Sequence, residues 1–143
     1  MQTGRPVESK FADYQENGGS FIWPSPYGAH NWQPMSYSPK TGLMYIPVQS
    51  IPAYFSAQEE VMYRVNRWNT GVDLNTNRDP KSWVAARASM DALIFGELVA
   101  WDPVKKSRAW KVHHNKPSNG GILSTDGNLV FQGTWDGTFA AYD

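Results

Sequence analysis

Along the chain, apolar runs of four to seven residues alternate with tight polar turns from residue 42 to residue 143. Gly42–Val48 is a short apolar strand opened by the Pro39-Lys40-Thr41-Gly42 turn. Glu97–Asp102 is another, ended by Pro103, and Lys105–Ser107 make a basic turn before a third at Ala109–Val112. Gly121–Thr125 and Asn128–Gly133 flank Asp126-Gly127, the short-range signature of a hairpin. Asp136-Gly137 then leads into Thr138–Asp143. Strands joined by turns this tight form an antiparallel meander. Residues 50–92 break the pattern and read as a long, partly helical connection. Ser56-Ala57-Gln58-Glu59 fits a capping box ahead of Val61-Met62-Tyr63-Arg64, and Asp79-Pro80 can open a second short helix.

Composition points the same way. Twelve glycines, ten prolines, seven tryptophans and a mean hydropathy of −0.54 describe many short strands with aromatic staples, not a helix bundle. At 143 residues the chain is long enough for one domain with a real core, burying about 70% of its unfolded surface. Thirteen basic against thirteen acidic groups argue against nucleic acid or an anionic membrane as partner. There is no cysteine, so disulfides, a thiol nucleophile and thiolate-bound metal are excluded. No apolar run reaches the roughly 20 residues of a membrane-spanning helix, and no signal-peptide pattern is present.

A repeat is visible. Ala100-Trp101-Asp102 and Ala141-Tyr142-Asp143 both end an apolar strand and lie 41 residues apart, the period of a four-stranded propeller blade. After the first copy, Trp110 stands eight residues beyond Asp102. The aspartate is placed to bind the amides of the following turn, and the tryptophan, one strand on, to wedge between sheets. Both ends of the chain fall inside the same motif, so it is expected to be an excerpt of a larger ring: about two to three blades over 1–143. Such a piece leaves flanking sheet faces bare and is expected to be marginally stable alone.

Four ordered segments carry a family resemblance. Gly28-Ala29-His30-Asn31-Trp32-Gln33-Pro34-Met35, running on through Tyr45-Ile46-Pro47, resembles the C-terminal half of the pyrroloquinoline-quinone (PQQ) dependent alcohol dehydrogenases. So do Gly96–Val104, Asn119-Gly120-Gly121-Ile122-Leu123-Ser124-Thr125 and Gly127–Thr134, in that order. The resemblance implies an all-β, eight-bladed propeller of four-stranded antiparallel blades with tryptophan-docking motifs. It implies PQQ near the central axis beside calcium, and hydride transfer from an alcohol to the quinone with an aspartate base and calcium as Lewis acid. It carries Asn31 to the asparagine that binds the quinone's polar edge and Trp32 to its neighbour in that pocket. Asn119 and Gly120 match a later loop that approaches the cofactor, where glycine permits close backbone approach. Asn119 stands where some relatives have tryptophan, which favours the soluble or haem-linked enzymes over the methanol type. The family's cysteine pair, calcium ligands and catalytic aspartate match nothing in this chain and are expected elsewhere. The resemblance further implies a small alcohol as substrate, a cytochrome or quinone as electron acceptor, the remainder of the propeller as partner, and a periplasmic location.

The remaining candidates read as structural. Trp101, Trp110 and Trp135 fit inter-blade packing, and His30 fits a hydrogen-bonded loop histidine. Asp73, Asn75, Asn77 and Asp79 have the spacing of a calcium loop, but Arg78 stands where glycine is required and Val84 where glutamate is. His113 and His114 are consecutive in a strand, so they point to opposite faces and cannot grip one ion. Phosphate-loop and nucleophile-elbow patterns are absent. Two other classes compete with the enzyme: a non-catalytic scaffold built of PQQ-type repeats, and a carbohydrate-binding module with exposed tryptophans. The Gly-Ala-His-Asn-Trp segment separates them, since a scaffold has no use for a polar amide at the ring axis.

Overall fold

The computed structural model describes residues 4–10, 13–16, 18–73 and 91–143. They form nine antiparallel strands and one 3-10 turn at Asp91–Leu93. The strands are β1 (Ser20–Ile22), β2 (Ser36–Ser38), β3 (Leu43–Ser50), β4 (Ala53–Phe55), β5 (Phe95–Asp102), β6 (Ser107–His114), β7 (Ile122–Ser124), β8 (Val130–Gly133) and β9 (Phe139–Tyr142). No helix among the described residues is long and apolar enough to cross a membrane. The chain divides into two compact units, Met1–Trp23 with Pro52–Ser89, and Pro24–Ile51 with Met90–Asp143.

The second unit holds two sheets, one of four strands in the order β2-β3-β5-β6 and one of three in the order β7-β8-β9. Each is the up-and-down meander expected from the apolar runs. β3 and β5 pair over seven positions, from Met44 opposite Trp101 to Ser50 opposite Phe95, although more than forty residues separate them in sequence. Each hairpin turn contains one residue in the left-handed region. Gly42, Lys106, Asn128 and Gly137 each occupy the left-handed region at φ of 69°, 53°, 63° and 85°. In the β7–β8 hairpin the Thr125 amide reaches the Leu129 carbonyl at 2.9 Å, and Asn128, not Gly127, carries the positive φ. The Asp-Gly pair therefore marks the hairpin correctly but sits in a longer loop, a type I turn closed by a left-handed residue. Asparagine tolerates that conformation because its short amide can bond locally; here its Nδ2 donates to Asp143 Oδ1 at 3.0 Å.

Strand alternation sorts the faces. Ala100 pairs with Tyr45 on one side and Trp110 on the other; Leu98 pairs with Pro47 and Val112; Gly96 pairs with Gln49 and His114. The first two rows are apolar. Tyr45, Leu98 and Ala100 close on Ile122 and Val130 of the three-stranded sheet, with Leu43, Trp110, Val112 and Tyr142 packed around them. Leu98 is fully buried. The docking motif has the expected form: Asp102 Oδ1 accepts from the Val104 and Lys105 amides at 3.0 and 2.9 Å, and Trp110 lies 5.7 Å from Tyr45, ring to ring, in the core between the sheets. On the opposite face of β5, Glu97 is buried but paired with Lys111 and, at 3.9 Å, with Arg108, so no bare charge is left in the sheet.

In the first unit, β1 pairs with β4, Phe21 meeting Tyr54 edge-on at 5.0 Å. The helix expected after Ser56 does not form; the described residues from 56 to 73 contain a β-bridge between Ala57 and Val72. The donors a helix needs are taken elsewhere. The Gln58 amide goes to Gly71 O at 2.9 Å and Ser56 O receives the Asp73 amide at 2.8 Å. The Arg64 amide goes to Asn69 Oδ1 at 2.8 Å, while Asn69 Nδ2 caps the Arg64 and Arg67 carbonyls. An asparagine side chain that offers the backbone these bonds outcompetes one isolated helical turn. The second proposed helix, at Asp79-Pro80, and Asn75, Asn77 and Asp79 of the rejected calcium loop lie outside the described residues.

Two outcomes follow for solution. Leu98→Ala is expected to lower stability by about 2–5 kcal/mol, against within about 0.5 kcal/mol for the exposed Val104→Ala, read from urea midpoints. Asp102's carboxyl is held below the usual carboxylate range, chiefly by the Lys105 amide, against a smaller opposing effect of burial and with further help from the Lys105 ammonium. A lowered folded-state pKa contributes stability that is complete above the unfolded value of about 3.9 and is lost as pH falls through the folded one. Asp102→Asn is expected to flatten the dependence of the urea midpoint on pH below about pH 4.

Candidate functional site

The two segments matched to the cofactor pocket lie at the same end of the two sheets. Beyond the apolar rows, the facing side chains turn polar: Gln49 on β3, His114 on β6 and Gln132 on β8. Gln49 is buried, and its Nε2 donates to Tyr27 O at 2.9 Å and Gly28 O at 3.3 Å, while its own amide donates to Ala29 O at 2.8 Å. His30 Nδ1 donates to Pro47 O at 2.9 Å, which makes it the hydrogen-bonded loop histidine that the sequence suggested. Residues 27–30 are thus pinned to β3 directly ahead of Asn31 and Trp32.

Asn31 and Trp32 project outward. Trp32 is 81% exposed, and Asn31 is exposed with no hydrogen bond to its side-chain amide among the described residues. The pair presents an exposed aromatic face beside an amide with free donors and an acceptor.

Asn119 and Gly120 are built differently. Asn119 is buried; its Nδ2 donates to Lys116 O at 2.9 Å and its Oδ1 accepts from the Trp135 amide at 3.2 Å. The side chain therefore organises the loop internally, and the loop's exposed surface is the backbone of Gly120. Gly96 is required beneath it, since a Cβ there would meet Asn119 Nδ2 and, at 2.6 Å, Lys116 O. The two segments touch: the Ile122 amide donates to Pro34 O at 2.9 Å, and Gln33 and Asn119 line one narrow cleft with Pro47, Val48, Gln49 and Pro117. All four predicted residues thus belong to loops that meet at one rim.

The other candidates resolve as follows. His113 and His114 do diverge, His113 against the Phe95 ring at 5.1 Å and His114 inward to Gln132 at 3.2 Å. Trp101 is half-buried at the end of β5. Trp135, in the β8–β9 turn, is 65% exposed, with its amide tied to Asn119 Oδ1. It lines a cleft of about 350 Å³ with His113, His114, Lys116, Asn119 and Asp136, so Asn119 borders this cleft as well as the narrow one. Among the described residues, no group of three or more His, Asp or Glu side chains is placed to hold a metal ion. Sequence reasoning did not find Gln49 or Gln132, because their burial depends on the facing sheet and on loops distant in sequence.

An antiparallel meander of blade-like sheets with a polar rim defines a portion of a propeller. No family model matches the chain. Its relatives are nonetheless consistent: it is 42% identical over 142 residues to quinohemoprotein alcohol dehydrogenase ADH IIB of Pseudomonas putida, covering 99% of this chain and 19% of that protein. It is 44% identical over 143 residues to the dehydrogenase subunit of the alcohol dehydrogenase (quinone) of Acetobacter aceti, with the same coverage. Among solved structures, quinohemoprotein alcohol dehydrogenase of Comamonas testosteroni superposes with a TM-score of 0.76 at 37% identity, over 99% of this chain and 21% of that one. A europium-containing methanol dehydrogenase superposes at 0.66 and 26% identity, over 87% and 20%. The chain is a homologue of the quinoprotein alcohol dehydrogenases and spans about a fifth of the length of the relatives it matches.

The contact between the two loops is open to a direct check. In Gly121→Ala the new methyl would overlap the Pro34 ring. It is expected to cost about 1–3 kcal/mol and to speed hydrogen exchange at the Ile122 amide, whose acceptor is Pro34 O.

Proposed function

We propose that this chain is the C-terminal portion of a PQQ-dependent alcohol dehydrogenase and supplies part of its cofactor pocket. The observation that carries the reading is the exposed, unpartnered Asn31–Trp32 pair, mounted on the rim where the Asn119–Gly120 loop also ends. These residues fit a flat, polar-edged quinone: Trp32 offers a face, Asn31 donors and an acceptor, and Gly120 a backbone without a side chain in the way. When bound, PQQ supplies a quinone that accepts hydride from an alcohol carbon, with calcium polarising the reacting oxygen.

In this reading the chain's own residues bind and orient. Asn31 holds the cofactor's polar edge, Trp32 excludes water from one side of it, and Gln49 with His30 keeps the Asn31 segment from shifting. In this reading the calcium ligands and the catalytic aspartate belong to other parts of the enzyme, and this chain alone does not oxidise alcohols. The ring has eight blades, and the exposed Leu123 and Phe139 on the outer face of the three-stranded sheet pack against its remainder. The electron acceptor is a cytochrome or a quinone; one relative is a 1-butanol dehydrogenase (cytochrome c) of Thauera butanivorans. The location is periplasmic.

Titrating the purified chain with PQQ in calcium, followed by quinone absorbance and tryptophan fluorescence, is expected to show saturable binding that Asn31→Ala weakens. Saturable binding that Asn31→Ala leaves unchanged would remove Asn31 from the pocket. Absence of binding by a parent-length protein would favour a non-catalytic scaffold.

A further inference from the structure

The Asn119–Gly120 loop is held from below by one side chain. Gln132, only 1% exposed, sits on β8 with its Nε2 3.0 Å from Gly120 O and its Oε1 3.2 Å from His114 Nε2. Chemistry fixes both roles. A backbone carbonyl only accepts, so the glutamine atom facing Gly120 is the amide nitrogen. Its oxygen then faces His114 and only accepts in turn, so His114 carries a hydrogen on Nε2. The result is a directed chain of donors from β6 through β8 to the loop. The Gly120 amide donates to Gly133 O at 2.8 Å, so both polar backbone groups of Gly120 are fixed by β8. A Cβ at Gly120 would come within 3.1 Å of that same carbonyl, which leaves the loop little freedom to be held another way.

Resting on the cofactor reading above, we infer that Gln132, its amide oriented by His114, is the positioning residue of the Asn119–Gly120 loop and so a determinant of PQQ affinity. Gln132 does not touch the ligand; it acts through Gly120. Its burial makes the arrangement strict. Deep in the sheet neither end of the amide can turn to water, so loss of one partner leaves a polar atom unsatisfied. Gln49 does the equivalent on β3 for residues 27–29, with its amide aimed at Tyr27 O and Gly28 O.

The test uses near-isosteric changes in the 143-residue chain and two readouts. Gln132→Glu places an oxygen against the Gly120 carbonyl, and His114→Phe removes the donor that orients Gln132 while filling the half-buried site. Amide hydrogen exchange is followed at Gly120 and at Trp135, whose N–H is bound by Asn119, with Leu98 reporting global opening. PQQ affinity in calcium is measured in parallel. In Gln132→Glu, exchange at Gly120 and Trp135 is expected to rise about tenfold while Leu98 stays within about twofold, and the PQQ Kd to rise about tenfold, one neutral hydrogen bond's worth. His114→Phe is expected to move both in the same direction by less. Unchanged exchange at Gly120 in both variants would overturn the inference whatever happens to PQQ. Faster exchange with unchanged PQQ affinity would show a loop held by Gln132 but not serving the cofactor, and would equally overturn it. Failure of the unsubstituted chain and of a parent-length protein alike to bind PQQ, with exchange responding as expected, would instead strike the cofactor reading and remove Gln132's role toward PQQ with it.

Discussion

An amide buried in a β-sheet must find partners, and at one end of this core two of them do so by reaching for loops. Between the four-stranded and three-stranded sheets, Tyr45, Leu98, Ala100, Ile122 and Val130 form a dry centre. One row further along, Gln49 and Gln132 replace the apolar side chains, and Gly96 leaves room for Asn119. A hydrocarbon in those two places would pack as well but would leave the carbonyls of Tyr27, Gly28 and Gly120 without their side-chain donors. The polar ending of the core thus costs some hydrophobic stabilisation and gives two fixed loops. Those loops carry Asn31, Trp32 and Gly120 to the surface.

The same logic divides the proposed site into residues that face solvent and residues that hold them. Asn31 and Trp32 are exposed and face outward. Asn119 is inward and spends its amide on Lys116 and Trp135, although its place in the motif suggests direct contact with a ligand. A motif match identifies the loop; only hydrogen-bond accounting tells which of its atoms remain available. The N–H and C=O of Gly120 are spent as well, on Gly133 O and Gln132 Nε2, so what that loop has left to offer is an exposed backbone surface with no side chain over it.

Much of the sheet architecture was legible in sequence because it rests on local rules. The apolar runs that became β3, β5, β7, β8 and β9 are bounded by turn residues, and the Asp102–Trp110 spacing reports a docking strand whose Asp does bind the turn amides. β2, Ser36-Tyr37-Ser38, was not legible, since its polar residues form a strand only by pairing with β3 and by bonding Ser124 across the sheets, the Ser36 and Ser124 hydroxyls 2.5 Å apart. β1 and β4 are three residues each and depend wholly on one another. The helix after Ser56 was misread because a capping box is a local signal, whereas the bonds that defeated it come from Asn69 and from residues 71–73, further along the chain. Asn31 and Trp32 are singled out by motif; Gln132 is not, since nothing local tells a buried glutamine from an exposed one.

In the proposed function, two loops separated by nearly ninety residues form one cofactor-facing rim. Mapping PQQ-induced changes in backbone amide NMR shifts across the chain tests it most directly. Changes are expected to concentrate at Asn31, Trp32 and Gly120 together, with the Trp135 side of the neighbouring cleft little affected. Changes centred on Trp135, His113 and Asp136 instead, or at only one of the two loops, would contradict it.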